Sequence, residues 1–251
     1  MGMKSDEVLG MRIDVTDYSE ATATIQEWAA HRESRYVCAP SVHTVMESHD
    51  ATDFRNIMNG ADLVVPDGMP LVWALKLRGR AHATRVYGPN LTLHVCQAAA
   101  QQHLPIALYG GTTESLEAFV QFLHRSFPGI DIVCRIAPPF RPLTEEEDQV
   151  YTEQLRDSGA SIIFVGIGCP KQERWMAQHR GKIPAVMVGV GAAFDFHSGR
   201  VRQAPPWLQR LGMEWFFRLM MEPRRLWRRY LYNNPRFVGL LLAQLLGARL
   251  Y

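Results

Sequence analysis

A chain of 251 residues can bury the core of one α/β domain and carry a smaller appendage, and its 47% hydrophobic and 21% charged residues exclude both a disordered chain and a polytopic membrane protein. The formal net charge of +2 conceals an asymmetry: from Pro205 to the end there are eight Arg and two Glu, whereas the 204 residues before it hold 19 basic and 23 acidic side chains. Two functional surfaces are implied, an acidic body with no nucleic-acid footprint and a basic tail suited to an anionic partner.

In chain order, the first thirty residues scatter Asp6, Glu7, Asp14 and Asp17 among apolar side chains and lack the basic start and apolar block of a secretory signal. A cytoplasmic protein is expected. Strand-like runs follow at residues 36–39, 63–65, 106–109, 130–134, 162–165 and 186–190, and the stretches between them, such as 114–125 and 145–158, space their apolar residues as helices do. Strand alternating with helix predicts an α/β fold with a mainly parallel sheet covered by helices. Cys38, Cys96, Cys134 and Cys169 are isolated, so neither a disulfide framework nor a zinc site is expected.

The tail reads as a helical appendage, residues 205–251, on a core of residues 1–204. Trp207, Trp215, Phe216, Phe217, Trp227, Tyr230 and Tyr232 offer aromatic bodies for a lipid headgroup region, and Arg218, Arg224, Arg225, Arg228 and Arg229 offer positive charge for an anionic membrane surface. Its longest apolar run, residues 237–247, is broken by Gln244 and falls well short of the ~20 residues needed to span a bilayer. Peripheral docking on the inner face of the membrane is expected.

Ligands of parallel sheets bind beyond the carboxyl ends of the strands. Pro66-Asp67-Gly68 follows the second run, Gly110-Gly111-Thr112 the third, Gly166-Ile167-Gly168-Cys169-Pro170-Lys171-Gln172-Glu173 the fifth, and Gly191-Ala192-Ala193-Phe194-Asp195 the sixth. Asp67 could take a proton from an attacking hydroxyl, or be an ordinary turn residue. Gly110 and Gly111 could cradle a diphosphate at a helix start, or form a tight turn before a Thr cap. Arg85 could grip phosphate bidentately, and Gln172 and Asp195 could bind sugar or phosphate. Each of these three could instead be structural.

Several chemistries lack their signatures. No G-x-x-x-x-G-K-[ST], complete G-x-G-x-x-G, H-x-x-x-H or G-x-S-x-G occurs, which disfavours P-loop nucleotidases, dinucleotide enzymes, metallohydrolases and serine hydrolases. The Asp-x-Asp that places a metal in many sugar-nucleotide transferases is also missing. Leaving-group charge would fall to Arg side chains and backbone N–H groups.

Taken together, residues 61–68 (ADLVVPDG), 85–91 (RVYGPNL), 165–173 (VGIGCPKQE), 189–195 (GVGAAFD) and 211–215 (LGMEW) resemble, in order, the WecG/TagA/CpsF glycosyltransferases of glycosyltransferase family 26. The resemblance covers roughly residues 35–235. It implies a Rossmann-like core of the GT-E type and an inverting, metal-independent enzyme without a cofactor. Such an enzyme moves a hexose or N-acetylhexosamine, of the glucose or N-acetylmannosamine type, from a UDP-sugar to a polyprenyl-diphosphate-linked saccharide in exopolysaccharide or cell-wall polymer synthesis. Asp67 matches the family's proposed base; Arg85, Gln172 and Asp195 match its pocket residues; Arg218, Arg225 and Arg228 match tail arginines thought to close over the diphosphate.

Two departures stand out. Ala39-Pro40-Ser41 replaces the family's usual Thr-x-Asn, leaving Ser41 as the polar candidate there, with His43 nearby, and Gln203-Ala204-Pro205 replaces Arg-Ala-Pro. They keep a second reading open, a catalytically inactive UDP-sugar-binding regulator or scaffold. A homo-oligomer is neither implied nor excluded.

Overall fold

The computed structural model describes residues 4–248, so Arg249, one of the eight tail arginines, lies outside the described residues. The chain opens with an antiparallel hairpin, β1 (Ser5–Val8) and β2 (Met11–Asp14). Its two-residue turn puts Leu9 and Gly10 both at positive φ, 51° and 84°, the handedness that matches the twist of paired strands. The sequence reading missed this hairpin.

Six further strands form one sheet: β3 (Arg35–Cys38), β4 (Leu63–Val64), β5 (Ile106–Gly110), β6 (Ile132–Ile136), β7 (Ile162–Gly166) and β8 (Val186–Gly189). They lie in the order β4-β3-β8-β7-β5-β6 and every pairing is parallel. Each falls on a run expected from the sequence. Along β5, β7 and β8 alternate residues serve opposite faces: Ala107, Tyr109, Ile163, Val165 and Met187 enter one core, and Ile106, Leu108, Ile162, Phe164, Val186 and Val188 the other. Burial on both faces is why these strands read as unbroken apolar runs.

Helices α1 (Tyr18–Ala30), α5 (Gly88–Gln102), α6 (Thr113–Ser126) and α9 (Ala193–His197) cover the face to which Ile106 and Phe164 point. The other face is covered by α2 (Val42–Asp50), α3 (Thr52–Asn59), α4 (Met69–Leu77), α7 (Glu145–Asp157) and α8 (Lys171–His179), together with the hairpin. Local chemistry sets several boundaries. Asp17 caps α1 by accepting from Glu20 N at 2.9 Å, Thr112 caps α6 by accepting from Ser115 N at 3.1 Å, and Thr144 and Glu147 cap each other's backbone amides at α7.

The tail forms α10 (Pro206–Arg210), α11 (Glu214–Met221) and α12 (Pro223–Leu245). The far half of α12 belongs to the core: Phe237 and Leu241 are buried with the hairpin residues, and Arg236 holds Asp50 through two hydrogen bonds of 2.9 and 2.7 Å. Gln244 accepts from Leu9 N at 3.2 Å and donates to the Glu7 carbonyl at 3.3 Å. A cut at Pro205 would therefore strip apolar cover from α2 and the hairpin. Among the described residues no helix is long and apolar enough to cross a membrane.

At the carboxyl edge of the sheet β5 and β7 approach closely. Gly110 sits at φ +128°, and a Cβ there would lie 2.5 Å from the Gly166 carbonyl carbon and oxygen. Both the dihedral and the contact demand glycine. Gly110→Ala is expected to destabilise the protein by roughly 1–3 kcal/mol or more, read as a lowered urea midpoint with an unchanged slope.

Candidate active site

Because all six strands run the same way, their carboxyl ends open on one edge. The loop after β3 carries Ser41, which starts α2 and donates its amide N–H to Thr44 Oγ1 at 3.2 Å. The loop after β4 carries Pro66-Asp67-Gly68. Gly68 N donates to the Pro40 carbonyl at 3.4 Å, and Val86 N to the Pro66 carbonyl at 2.9 Å. These bonds bring Ser41, Asp67 and Arg85 into one corner.

Asp67 is the centre of that corner. Its Oδ1 accepts from Gly88 N, the first residue of α5, at 3.1 Å. Arg85 donates Nε to the Asp67 carbonyl at 2.5 Å, yet its NH2 stays 3.9 Å from Asp67 Oδ1. That NH2 instead donates to Glu214 Oε2 at 2.7 Å, while Glu214 Oε1 accepts from the Tyr87 hydroxyl at 3.0 Å. The guanidinium carbon lies 4.2 Å from the Tyr87 ring centre, a stacked cation–π contact that orients the group. Tyr18, from α1, accepts from Tyr87 N at 3.0 Å and completes the wall.

This environment changes the acidity of Asp67. Burial does most to raise its pKa; Arg85 opposes, Glu214 adds to the rise, and the Gly88 amide and Arg218 oppose, leaving the carboxyl at about 7. A carboxylate tuned to neutral pH can accept a proton and release it again.

The other expected site residues are distributed differently. Gln172 is buried, donating Nε2 to Glu173 Oε1 at 2.8 Å and accepting from Gly191 N at 3.1 Å, so its amide ties the β7 loop to the β8 loop. Asp195 accepts from Ser115 Oγ at 2.7 Å. Gly111 N donates to the Gly166 carbonyl at 3.2 Å, and with Gly110 it meets the packing need described above. These four residues line the same edge and are engaged with protein groups.

Of the tail arginines, Arg218 stacks on Phe196, with its guanidinium carbon 5.6 Å from the ring centre, and is near enough to Asp67 to oppose its rise. Arg225 pairs with Glu222. Arg228 is exposed and lies over Trp227. Arg229, the next residue, turns inward instead: burial is the main cause lowering its pKa, and the positive charges of Arg218 and Arg225 lower it further. Among the described residues the Nε atoms of Arg218 and Arg229 are buried without a hydrogen-bond partner. Two cations close enough to repel each other thus keep these donors unused.

Sequence reasoning missed Glu214, Tyr87, Tyr18 and the inward turn of Arg229. Glu214 and Tyr87 stand inside blocks that carry the family resemblance, which was the available signal. Also missed was Trp73 on α4, 45% exposed beside Leu77 at 67%, and in contact range of Gly212 in the tail.

Asp67 also makes a stability prediction. Its folded value, about 7, exceeds the ordinary 3.8, so folding disfavours its ionised form. The resulting loss of stability begins above about pH 4 and is complete above about pH 7. Asp67→Asn keeps an oxygen for the Gly88 amide. It is expected to exceed the natural chain in stability by roughly 2–4 kcal/mol at pH 8 and to match it near pH 4, as measured by urea unfolding at both pH values.

Comparison with known proteins identifies the family. The model of the glycosyl transferase WecG/TagA/CpsF family matches residues 7–250, which takes in β2 of the hairpin and nearly all of the tail. The N-acetylglucosaminyldiphosphoundecaprenol N-acetyl-beta-D-mannosaminyltransferase of Bacillus spizizenii (strain ATCC 23059 / NRRL B-14472 / W23) is 30% identical over 190 residues, covering 75% of this chain and 71% of that protein. The protein of the same name from Bacillus subtilis (strain 168) is 28% identical over 180 residues, 71% of this chain and 68% of its own length. With a family match over nearly its whole length and a strand-end site built from the blocks that carry the resemblance, the chain belongs to the WecG/TagA/CpsF family and is a glycosyltransferase.

Proposed function

We propose that this glycosyltransferase moves a hexose or N-acetylhexosamine from a UDP-sugar to a saccharide carried on a polyprenyl diphosphate, by a single displacement that inverts the anomeric centre and needs no metal. The observation that carries this reading is the Asp67 carboxyl, with a pKa near neutral at the strand-end corner and with Oδ2 free of any hydrogen bond to protein among the described residues. The acceptor hydroxyl gives its proton to Asp67 as its oxygen bonds to the anomeric carbon. The bond from that carbon to the UDP oxygen breaks, and the electron pair leaves with the diphosphate. Arg218 and Arg229, with buried idle donors, are placed to meet that charge, and Arg225 adds to the local positive field.

Inversion is supported by the engagement of the neighbouring carboxylate: both Glu214 oxygens already accept hydrogen bonds, which leaves Asp67 to act as a base in one step. The names of the two Bacillus relatives support an N-acetylmannosamine donor and a diphosphoundecaprenol-linked acceptor. Ala39 and Ser41, where the family usually has Thr and Asn, make the contact to an N-acetyl group the place where this chain would differ.

In an assay with a polyprenyl-diphosphate saccharide acceptor and a panel of UDP-sugars, Asp67→Asn should lower turnover by ~10² to 10⁴-fold while donor affinity is kept. EDTA should leave turnover of the natural chain intact, and the product should carry the anomer opposite to the donor's. Undiminished turnover in the variant would remove Asp67 from this role and favour the scaffold reading; strict dependence on magnesium or manganese would remove the metal-free mechanism.

The tail is proposed to dock on the inner membrane face. Trp207, Leu211, Phe216, Met220, Trp227, Leu231 and Tyr232 are all exposed, together with Trp73 and Leu77 of α4, and Arg224 and Arg228 stand exposed beside them. A charged residue near an anionic surface contributes about 1 kcal/mol. The double variant Arg224→Glu, Arg228→Glu should therefore lose at least about tenfold in affinity for phosphatidylserine-containing vesicles. Vesicle flotation with and without anionic lipid measures this, and equal binding by both proteins would end the docking role of these arginines.

A further inference from the structure

The reading of Asp67 as base leaves its most unusual neighbour unexplained. Arg85 stands between two carboxylates and chooses the distant one: 2.7 Å to Glu214, which arrives from 129 residues further along the chain, against 3.9 Å to Asp67. Its Nε is fixed on the Asp67 carbonyl, so the group is anchored at the Asp67 loop and turned away from the Asp67 side chain. Tyr87 shares the work, stacking on the guanidinium and donating its hydroxyl to Glu214. The Asp67 carboxylate is left with one protein donor, the Gly88 amide.

Glu214 can reach this place because of how α11 begins. Gly212, at φ +67°, lies so close to Trp73 that a Cβ there would be 2.6 Å from the ring, and the chain then enters α11 with Glu214 as its first residue. The carboxylate therefore also sits at the positive end of the helix dipole. Among the described residues, its two accepted bonds are the direct hydrogen bonds from α10 and α11 to the strand-end corner.

We propose that Glu214 is a positioning residue: by holding Arg85 off the Asp67 carboxylate it keeps Asp67 free to act as a base, and so makes the base stronger when α11 is docked. The inference rests on Asp67 being the base. Without the Glu214 charge, the carboxylate nearest to the Arg85 NH2 is Asp67, and closing the 3.9 Å gap would give a full ion pair. A carboxylate so paired holds a proton less tightly and is a weaker base. The charged and titratable groups facing Asp67 are Arg85 and Tyr87 from the segment before α5, Tyr18 from α1, and Glu214 and Arg218 from α11. Glu214 is the one carboxylate among them. Its present effect agrees with the proposal, since it raises the Asp67 value while Arg85 and Arg218 lower it.

The test is the pH dependence of kcat/KM for the full chain, using the acceptor and donor of the turnover assay. Glu214→Gln should fold, as checked by circular dichroism and thermal melting. It should shift the acid limb to lower pH by about half a unit to one unit and lower the alkaline plateau by about three- to tenfold. Glu214→Asp, which keeps the charge but withdraws it by one methylene, should shift the limb the same way by less. Tyr87→Phe removes a neutral hydrogen bond, leaves the Arg85–Glu214 pair, and should leave the limb in place. An acid limb unmoved or raised in Glu214→Gln overturns the proposal, and so does an unmoved limb in Glu214→Asp if the glutamine variant is too unstable to assay. Asp67→Asn separates the two ideas: if it retains turnover, the base assignment itself has failed; if it is inactive and the Glu214 limb is unmoved, the positioning role alone has failed.

Discussion

A parallel sheet must be covered on both faces wherever its strands carry apolar side chains on both sides, as all but the edge strand β6 do here. Here that constraint commits ten helices or helical segments and an N-terminal hairpin to cover, and it leaves the strand ends as the place where polar groups can gather without breaking the core. Loops from β3, β4, β5, β7 and β8 meet there, cross-linked by Gly68 to Pro40, Val86 to Pro66, Gly111 to Gly166 and Gly191 to Gln172. The corner is braced mainly by its own backbone, with the Gln172 side chain closing the last link.

Within that frame the electrostatics are a balance of opposed effects. Burial and Glu214 push the Asp67 proton on; Arg85, the Gly88 amide and Arg218 pull it off. The opposing groups come from different elements, two of them from the tail. The chemistry is thus divided between a preformed edge and helices that lie over it. Arg218 and Arg229 show the same division between α11 and α12, where the positive charge of Arg218 opposes that of the buried Arg229, and among the described residues neither Nε has a hydrogen-bond partner.

Much of the fold was legible in the sequence for a physical reason. Strands buried on both faces must be apolar throughout, and Ile162 to Val165 or Val186 to Val188 announce themselves. The hairpin did not, because Asp6 and Glu7 dilute its apolar pattern, and the charged partners of Asp6 are Arg78 and Arg80 far along the chain, each at 2.9 Å. Asp67 could be singled out from its strand-end setting, but the pairing of Arg85 with Glu214 depends on tertiary docking that no local pattern encodes. The exchange of Arg228 for Arg229 as the inward cation has the same origin. Neighbours on a helix point about 100° apart, so which one faces the site is decided by how α12 seats, and that is set by Phe237, Leu241 and Gln244 elsewhere on it.

That seating has a further consequence. The Leu9 amide at the hairpin turn is sealed by Gln244, near the far end of α12, and the same stretch of helix is clamped to α2 through Arg236 and Asp50. Exposing the turn therefore requires the end of α12 to lift, and lifting α12 uncovers the hairpin, so the two behave as one cooperative opening unit although they lie at opposite ends of the chain. The inward-facing Arg229 rides on that same helix. A lesion in the short N-terminal hairpin would thus be felt at Arg229, through a loosened seat for the helix that carries it.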